Sequence, residues 1–211
     1  MTSCTTENRS YYIVIEEGTL KFEFKEGIQA VKFDDTEFYR KKFNLLPASK
    51  GVDILADSKE MIQFIEVKNC RGYETENMWR TSTNNSKVNS APGELEDSER
   101  ESFDIEIAKK VASTITCLVG AWTKSEQIEK ADVLSAYWKW IGDAKIPRNK
   151  KKIVVILFLE GNFGERNPKT RTKKMIMQRI QQSINSKLSW INCRVAVVDS
   201  DTYNESYFNI S

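Results

Sequence analysis

Alternating and continuous runs of apolar residues along the chain predict strands, and apolar residues at helical spacing predict the helices between them. The strands are predicted at 11–15, 20–24, 52–56, 62–69, 153–160 and 194–199. The helices are predicted from the Asp-Asp-Thr at 34–36 to the Leu-Pro at 46–47, and at 103–122, 131–141 and 171–188. The resulting order, β-β-α-β-β-α-α-β-α-β, predicts an α/β fold with a mixed central sheet flanked by helices.

Residues 71–102 break this pattern, because they are polar, poor in aliphatic residues and without helical or strand periodicity. They predict a long mobile loop, which serves either as a substrate lid or as a disordered insertion. A chain of 211 residues suits one domain. Its predicted parts are an N-terminal hairpin at 1–32, a helix and hairpin at 33–70, the flexible polar insertion at 71–102, and the remaining helices and strands at 103–211.

The composition excludes several kinds of catalytic site. The chain contains no histidine, which excludes Ser-His-Asp and Cys-His nucleophile systems and His-ligated zinc. Its four cysteines form no CxxC pair and are expected to be inert thiols. There is no GxxxxGK[ST] phosphate loop and no GxGxxG fingerprint. Carboxylates, lysines, hydroxyls and a hard metal ion remain as the available chemistry.

The longest apolar run, residues 153–159, is far too short to span a bilayer, and the polar start MTSCTTENRS does not resemble a signal peptide. We therefore expect a cytoplasmic protein without a membrane partner. Basic residues are concentrated in one region, since residues 145–187 contain 12 Lys/Arg against 2 Asp/Glu in a chain of net charge +2. This excess indicates either a nucleic-acid footprint or a solvated helix face with a basic loop.

Glu66 and Lys68 lie within the predicted apolar strand at 62–69. Side chains alternate across a strand, so these two share one face while Ile65 and Val67 point to the other. Asp53 lies on the preceding strand of the same predicted hairpin and can converge on this pair. The three residues form either a structural ion-pair cluster or a site for Mg²⁺ or Mn²⁺, which prefer oxygen ligands.

The sequence Gly51-Val52-Asp53, followed thirteen residues after the aspartate by Glu66-Val67-Lys68, resembles the PD-(D/E)XK nuclease superfamily. Restriction endonucleases, Holliday-junction resolvases and RecB-type exonucleases share its core. Of four [DE]xK sequences in the chain, only this one has apolar strand residues on both sides. The resemblance implies a restriction-endonuclease-like αβββαβ core, with the N-terminal β-hairpin and a C-terminal α-β extension added to it. Val52 replaces the family's proline, and no QxxxY motif follows.

The resemblance also implies roles for individual residues. Asp53, Glu66 and the main-chain carbonyl of Val67 would bind Mg²⁺ or Mn²⁺. Lys68 would orient or help deprotonate the attacking water and stabilise the developing negative charge. Glu37 occupies the place of the acid that many members carry on the first helix, and Asp34 or Asp35 is the alternative. The implied catalytic residues are thus Asp53, Glu66, Lys68 and Glu37.

The implied function is metal-dependent hydrolysis of phosphodiester bonds in nucleic acid, with DNA favoured over RNA. The resemblance implies a homodimer, because family members often dimerise, although the sequence shows no interface signature. Contacts to phosphates are expected from the basic segment, at Lys150, Lys151, Lys152, Lys169, Arg171, Lys173 and Lys174. Lys109 and Lys110 of the helix at 103–122 are further phosphate contacts or solvated surface residues. The alternative function is a non-catalytic module on the same fold that binds nucleic acid or protein.

Overall fold

A mixed β-sheet with helices packed on it forms the centre of the molecule. The computed structural model describes residues 13–58, 60–87, 100–126, 132–142, 153–164 and 172–211. The strands are β1 Ile13–Glu17, β2 Leu20–Phe24, β3 Gln29–Lys32, β4 Ile54–Asp57, β5 Ile62–Asn69, β6 Ser86–Lys87, β7 Arg100–Glu101, β8 Ile153–Glu160, β9 Cys193–Val198 and β10 Phe208–Ile210. The α-helices are α1 Glu37–Lys41, α2 Glu74–Asn77, α3 Phe103–Lys124, α4 Asp132–Gly142 and α5 Lys173–Lys187.

The central sheet has the strand order β3-β4-β5-β8-β9. Its first three strands are antiparallel neighbours, whereas β8 pairs in parallel with both β5 and β9. Parallel neighbours need a crossover, and helices α3 and α4 lie between β5 and β8 in the chain, as α5 does between β8 and β9. Strand β8 is buried along its whole length, because it has a neighbouring strand on each side and a packed layer on each face.

The two faces of this sheet are covered by different layers. On one face, Phe64 of β5 shares a core with buried residues of α1, α3, α4 and α5, among them Ile107 and Ile180. On the other face, Ile65 and Val67 share a second core with a three-stranded sheet of order β1-β2-β10. The molecule therefore has three layers, with helices on one side of the central sheet and a second sheet on the other.

This architecture confirms the predicted mixed α/β sheet and most of its elements, with β8 at its predicted bounds. The helices lie on one face, because the predicted N-terminal hairpin forms the layer on the opposite face. The predicted helix over 34–47 is shorter, since α1 ends at Lys41 and a 3-10 turn at Phe43–Leu45 follows. Strands β3 and β10 have too few apolar residues for the sequence pattern to predict them. Within the described residues, no helix is both long and apolar enough to cross a membrane.

Part of the region predicted as a long loop has regular structure. Residues 71–87 contain α2, a 3-10 turn at Met78–Thr81 and strand β6, which pairs with β7. This stretch is held against the first turns of α3 by polar contacts. Asn84 N donates to Asp104 Oδ2, 3.2 Å, and Arg80 Nε donates to the Glu101 carbonyl, 3.0 Å. The remainder of the predicted loop, residues 88–99, lies outside the described residues.

Candidate active site

The Gly-Val-Asp sequence places Asp53 at the start of β4 through close contacts of its first two residues. Gly51 passes so near Phe33 that a Cβ atom on it would lie 2.1 Å from the phenylalanine ring. Val52 N donates a hydrogen bond to Thr114 Oγ1 of α3, 3.0 Å. A larger residue at position 51 would force the two segments apart. The motif therefore fixes the backbone that carries Asp53 between the sheet and α3.

Glu66 and Lys68 project from β5 towards the helical layer, as the strand alternation predicts. Ile65 and Val67 belong to the core on the opposite face. The register of β4 and β5 pairs Ile54 with Ile65, so Asp53 comes beside Glu66. Asp53 Oδ2 accepts a hydrogen bond from Val67 N, 2.7 Å, which attaches the aspartate to β5 directly. The structure thus brings together the three side chains of the predicted motif.

Helix α3 adds two charged side chains to these three. Glu106 and Lys110 are one helical turn apart, so they lie on the same face of the helix. Lys110 Nζ lies 2.5 Å from Glu66 Oε1 and 3.4 Å from Asp53 Oδ1. Lys68 Nζ lies 2.8 Å from Glu66 Oε1 and 2.9 Å from Glu106 Oε1. Each lysine therefore bridges two carboxylates.

Arg80, on the 3-10 turn that follows α2, completes the arrangement. Its guanidinium forms an ion pair with Glu106 and lies 4.4 Å from the centre of the Phe103 ring. Together these side chains form an alternating series of three acidic and three basic groups, whose formal charges cancel. We call it the charged cluster, and its members are Asp53, Glu66, Lys68, Arg80, Glu106 and Lys110.

The charged cluster is shielded from solvent, since the side chain of Glu66 is 1% exposed and that of Lys68, the most exposed member, is 18% exposed. Burial raises the pKa of Glu66 to about 7, although Lys68 opposes this shift. Burial alone would lower the pKa of Lys68, but Glu66 and Glu106 outweigh burial and raise it. The same carboxylate environment raises the pKa of Lys110 against the effect of burial. Both lysines are therefore ammonium ions at neutral pH.

One carboxylate oxygen of the charged cluster, Glu66 Oε2, has no hydrogen-bond partner among the described residues. Glu66 Oε1 accepts from two ammonium groups, while Glu66 Oε2 is buried and accepts no hydrogen bond from any described residue. Asp34 Oδ1 is in the same condition among the described residues. Burial, followed by the neighbouring Asp53 carboxylate, raises the pKa of Asp34. An unpaired buried carboxylate oxygen is costly, which favours a further cation or donor at this place.

Two carboxylates of the charged cluster, Asp53 and Glu66, face the place that a divalent metal ion would take. In the part of the chain that the structure describes, no group of three or more His, Cys, Asp or Glu side chains is arranged to hold a metal ion. Mg²⁺ in phosphoryl-transfer sites is usually bound by one or two carboxylates, with water and substrate phosphate completing its octahedron. Asp53 and Glu66, with the unpaired Glu66 Oε2, fit this smaller requirement. Val67, whose carbonyl is the third implied ligand, is bound to Asp53 through its N–H group.

Glu37, the acid predicted on the first helix, pairs with a lysine of its own helix. Glu37 Oε1 accepts a hydrogen bond from Lys41, 2.7 Å, one turn along α1. Of the two alternatives that the sequence left, Asp34 and Asp35, it is Asp34 whose pKa is raised by the neighbouring Asp53 as well as by burial. Phe33 N donates to the Asp53 carbonyl, 2.7 Å, so the backbone places Asp34 next to the site. The geometry therefore favours Asp34 over Glu37 as the additional acid.

The predicted phosphate contacts are only partly within the described residues. Lys173 Nζ lies 2.5 Å from Asp199 Oδ2, and Lys174 is exposed on the first turn of α5. Lys109 is exposed and pairs with Glu101, 2.5 Å, whereas the neighbouring Lys110 is buried in the charged cluster. The other predicted contacts lie outside the described residues, and these are Lys150, Lys151, Lys152, Lys169 and Arg171.

Sequence reasoning missed the contribution of Arg80, Glu106 and Lys110. The buried side of α3 includes Asp104 and Thr114 as well as apolar residues. The positions of the apolar residues alone therefore do not show which side of the helix faces the sheet. The oppositely charged pair Glu106 and Lys110, at i and i+4, was the available signal. Such pairs are usually solvent-exposed, so the spacing did not distinguish them. No pattern in the chain indicated Arg80.

Comparisons with known proteins place the chain in a family without assigning an activity. A family model described as "Family of unknown function (DUF6661)" matches residues 36–211, and the chain belongs to this family. No curated protein and no solved structure matches the chain. The matched region contains the whole charged cluster, whereas β1, β2 and β3 precede it.

Proposed function

We propose that this protein hydrolyses phosphodiester bonds of nucleic acid, with DNA as the favoured substrate, by means of a divalent metal ion at Asp53 and Glu66. The observation that carries the proposal is the convergence of Asp53, Glu66 and Lys68 at one point of the sheet, where Glu66 Oε2 has no partner among the described residues. These are the side chains that the resemblance to PD-(D/E)XK nucleases assigns to catalysis. A divalent cation would supply the positive partner that Glu66 Oε2 does not find among the described residues.

The order of the strands supports the same proposal. Three antiparallel strands, β3, β4 and β5, are followed by the long helix α3 and by β8, which is parallel to β5. A restriction-endonuclease-like αβββαβ core has this succession of strands and second helix. Helix α1 lies between β3 and β4 in the chain rather than before β3, which departs from that core. The proposal therefore rests on the site and on strands β4, β5 and β8.

In the proposed mechanism Lys68 acts as a fixed positive charge. Its raised pKa keeps it protonated, so it donates hydrogen bonds to the scissile phosphate or the attacking water instead of removing a proton. Glu66 and Glu106 hold its ammonium group from two sides, which orients it without a substrate. When bound at Asp53 and Glu66, the metal ion would lower the pKa of a water molecule and neutralise charge on the phosphate.

A second candidate function is favoured by Lys110. Its ammonium group lies between Asp53 and Glu66, so the cluster is balanced in charge without any metal ion. An ion-pair network whose formal charges cancel is compatible with a non-catalytic module that binds nucleic acid or protein. In that case the cluster would serve stability alone, and no member of it would contact a substrate.

The test is cleavage of supercoiled plasmid, single-stranded DNA and single-stranded RNA by the purified protein. Reactions would contain EDTA, Mg²⁺ or Mn²⁺, and the variants would be Lys68→Met and Lys21→Met. Lys21 is a suitable control because it also pairs with a glutamate, Glu16, but lies on the exposed surface of β2. Metal-dependent nicking by the wild type and by Lys21→Met, lost in Lys68→Met, would support the nuclease.

Two other results would reject it. Salt-sensitive DNA binding without cleavage in any metal would support the non-catalytic module, because phosphate contacts weaken as salt rises. Cleavage that persists in Lys68→Met would indicate a contaminating nuclease or a different site. Sedimentation of the same preparation, with and without DNA, would test the homodimer that the resemblance implies.

A further inference from the structure

Lys110 occupies the position between the two carboxylates that the proposed metal ion requires. Its Nζ atom is 2.5 Å from Glu66 Oε1 and 3.4 Å from Asp53 Oδ1. The other aspartate oxygen, Oδ2, is engaged by Val67 N at 2.7 Å. Asp53 therefore offers a new ligand chiefly the oxygen that already faces Lys110.

The surroundings hold Lys110 in this place. Its side chain is 12% exposed, and its backbone carbonyl accepts a hydrogen bond from Thr114 Oγ1, 2.8 Å. Lys68 approaches Glu66 Oε1 as a second cation and is also held by Glu106. Asp53 and Glu66 thus share their negative charge with two ammonium groups before any metal ion arrives.

A divalent cation and an ammonium group cannot both occupy the space between two carboxylates. They repel each other strongly at such distances in a partly buried site, and both need Asp53 Oδ1 and the negative charge of Glu66. We propose that Lys110 is an internal counter-ion that competes with the divalent metal for Asp53 and Glu66, and so sets the metal affinity of the site. The inference rests on the proposed function, since it concerns the same metal site.

Two consequences follow from this competition. In the absence of metal, Lys110 neutralises the carboxylates, so the site remains folded and balanced in charge. Metal binding moves the ammonium group away from Asp53 and Glu66. The metal-free and metal-bound proteins therefore differ in the position of the Lys110 side chain, and the affinity is lower than that of the same carboxylates without the lysine.

The affinity of the metal-free protein for Mn²⁺ tests the proposal by isothermal titration calorimetry. We expect Lys110→Met to bind Mn²⁺ at least about tenfold more tightly than the wild type, because the competing charge is gone. Lys110→Arg, which keeps a cation, should bind no more tightly than the wild type. Lys109→Met is the matched control, because Lys109 is the adjacent residue but pairs with Glu101 at the surface, and its Mn²⁺ affinity should be unchanged. An affinity of Lys110→Met equal to or weaker than that of the wild type would overturn the inference.

A second measurement uses the wild type and does not depend on the folding of Lys110→Met. In protein labelled with ¹³C at the lysine ε carbons, the Lys110 signal should shift when Mg²⁺ is added. The Lys109 signal should remain in place, and Lys→Arg variants would assign both. Saturation with Mg²⁺ without any shift of the Lys110 signal would contradict displacement.

These measurements separate the inference from the proposed function. Metal-dependent cleavage with an unaltered Lys110→Met affinity would overturn the role of Lys110 and leave the nuclease intact. Tighter Mn²⁺ binding by Lys110→Met, lost again in Asp53→Asn/Lys110→Met, would uphold the role of Lys110 even if no nucleic acid is cleaved. Absence of metal binding in both the wild type and Lys110→Met would overturn both.

Discussion

Two buried glutamates on neighbouring parallel strands are bound in contrasting ways. Glu160, at the end of β8, has a donor for each oxygen, since Ser200 N donates to Oε1 at 2.7 Å and Arg71 donates to Oε2 through two nitrogens. Glu66, on β5, receives two ammonium groups on one oxygen and no hydrogen bond from a described residue on the other. Each oxygen of Glu160 is thus matched by a donor, whereas Glu66 Oε2, like Asp104 Oδ1, has no partner among the described residues and retains the capacity to bind a further group.

The largest effect is expected on activity, when Lys68, a cation beside Glu66, is removed. Lys68→Met should lower the rate of plasmid nicking at least about a hundredfold, because a fixed charge at the scissile phosphate is lost. Arg71→Met should cleave at the rate of the wild type, since Arg71 is bound to Glu160 and Ser200. Initial rates at saturating Mg²⁺ would be measured for both. Equal losses in the two variants would remove the distinction between the glutamates.

The next effect concerns stability at Glu160. Glu160→Met should lower the free energy of unfolding by about 2 kcal/mol, because the partly buried Ser200 N–H loses its acceptor and Arg71 loses its partner. Glu16→Met is the control, since Glu16 pairs with Lys21 at the surface and its removal should change stability little. Urea unfolding in EDTA would measure both variants. A Glu160→Met protein as stable as the wild type would show that the hydrogen bonds and ion pair of Glu160 contribute nothing to the free energy of unfolding.

A smaller effect is expected from metal binding. At a metal concentration about tenfold above Kd, binding to the folded state alone stabilises a protein by about 1.4 kcal/mol. The wild type and Glu160→Met should both show this gain when Mn²⁺ replaces EDTA, whereas Glu66→Gln should not. Thermal unfolding at a fixed protein concentration would measure it. If Glu160→Met lost this gain and Glu66→Gln kept it, the metal site would instead lie at Glu160, at the end of β8.

The smallest effect is expected at Asp104, a third buried carboxylate, on α3. Burial would raise its pKa, but hydrogen bonds from Lys187, Ser102 and Ser183 lower it below the usual 3.8. Because the pKa of Asp104 is lower in the folded protein than in the unfolded chain, its carboxylate stabilises the fold at pH values above the unfolded-state pKa. This contribution is lost as the pH falls through the folded-state pKa. Asp104→Asn should therefore unfold with a weaker pH dependence below pH 4. An unchanged acid transition would show that Asp104 does not contribute.

Much of the fold could be predicted from the sequence, because the relevant signals are local. The apolar run of β8 predicted a buried strand at its observed bounds, and the helical spacing of apolar residues predicted α3, α4 and α5 within a few residues. The hairpin of β1 and β2 was predicted, but its packing on the central sheet and its third strand, β10, could not be predicted. Strand β10 lies almost 190 residues after β2 in the chain, and its three residues have no pattern of their own.

The sequence by itself determined that Glu66 and Lys68 share one face of a strand and that Asp53 belongs to the neighbouring strand of the hairpin, which in the structure begins one residue later, at Ile54. Strand geometry alternates side chains with a period of two, so this result needs no tertiary information. Only the tertiary structure decided which other charges meet them. Lys110 reaches Glu66 across 44 residues of chain, and Glu106 reaches Lys68 across 38. Such contacts depend on how α3 crosses the sheet, which is set by the packing of the whole helical layer and not by any local pattern.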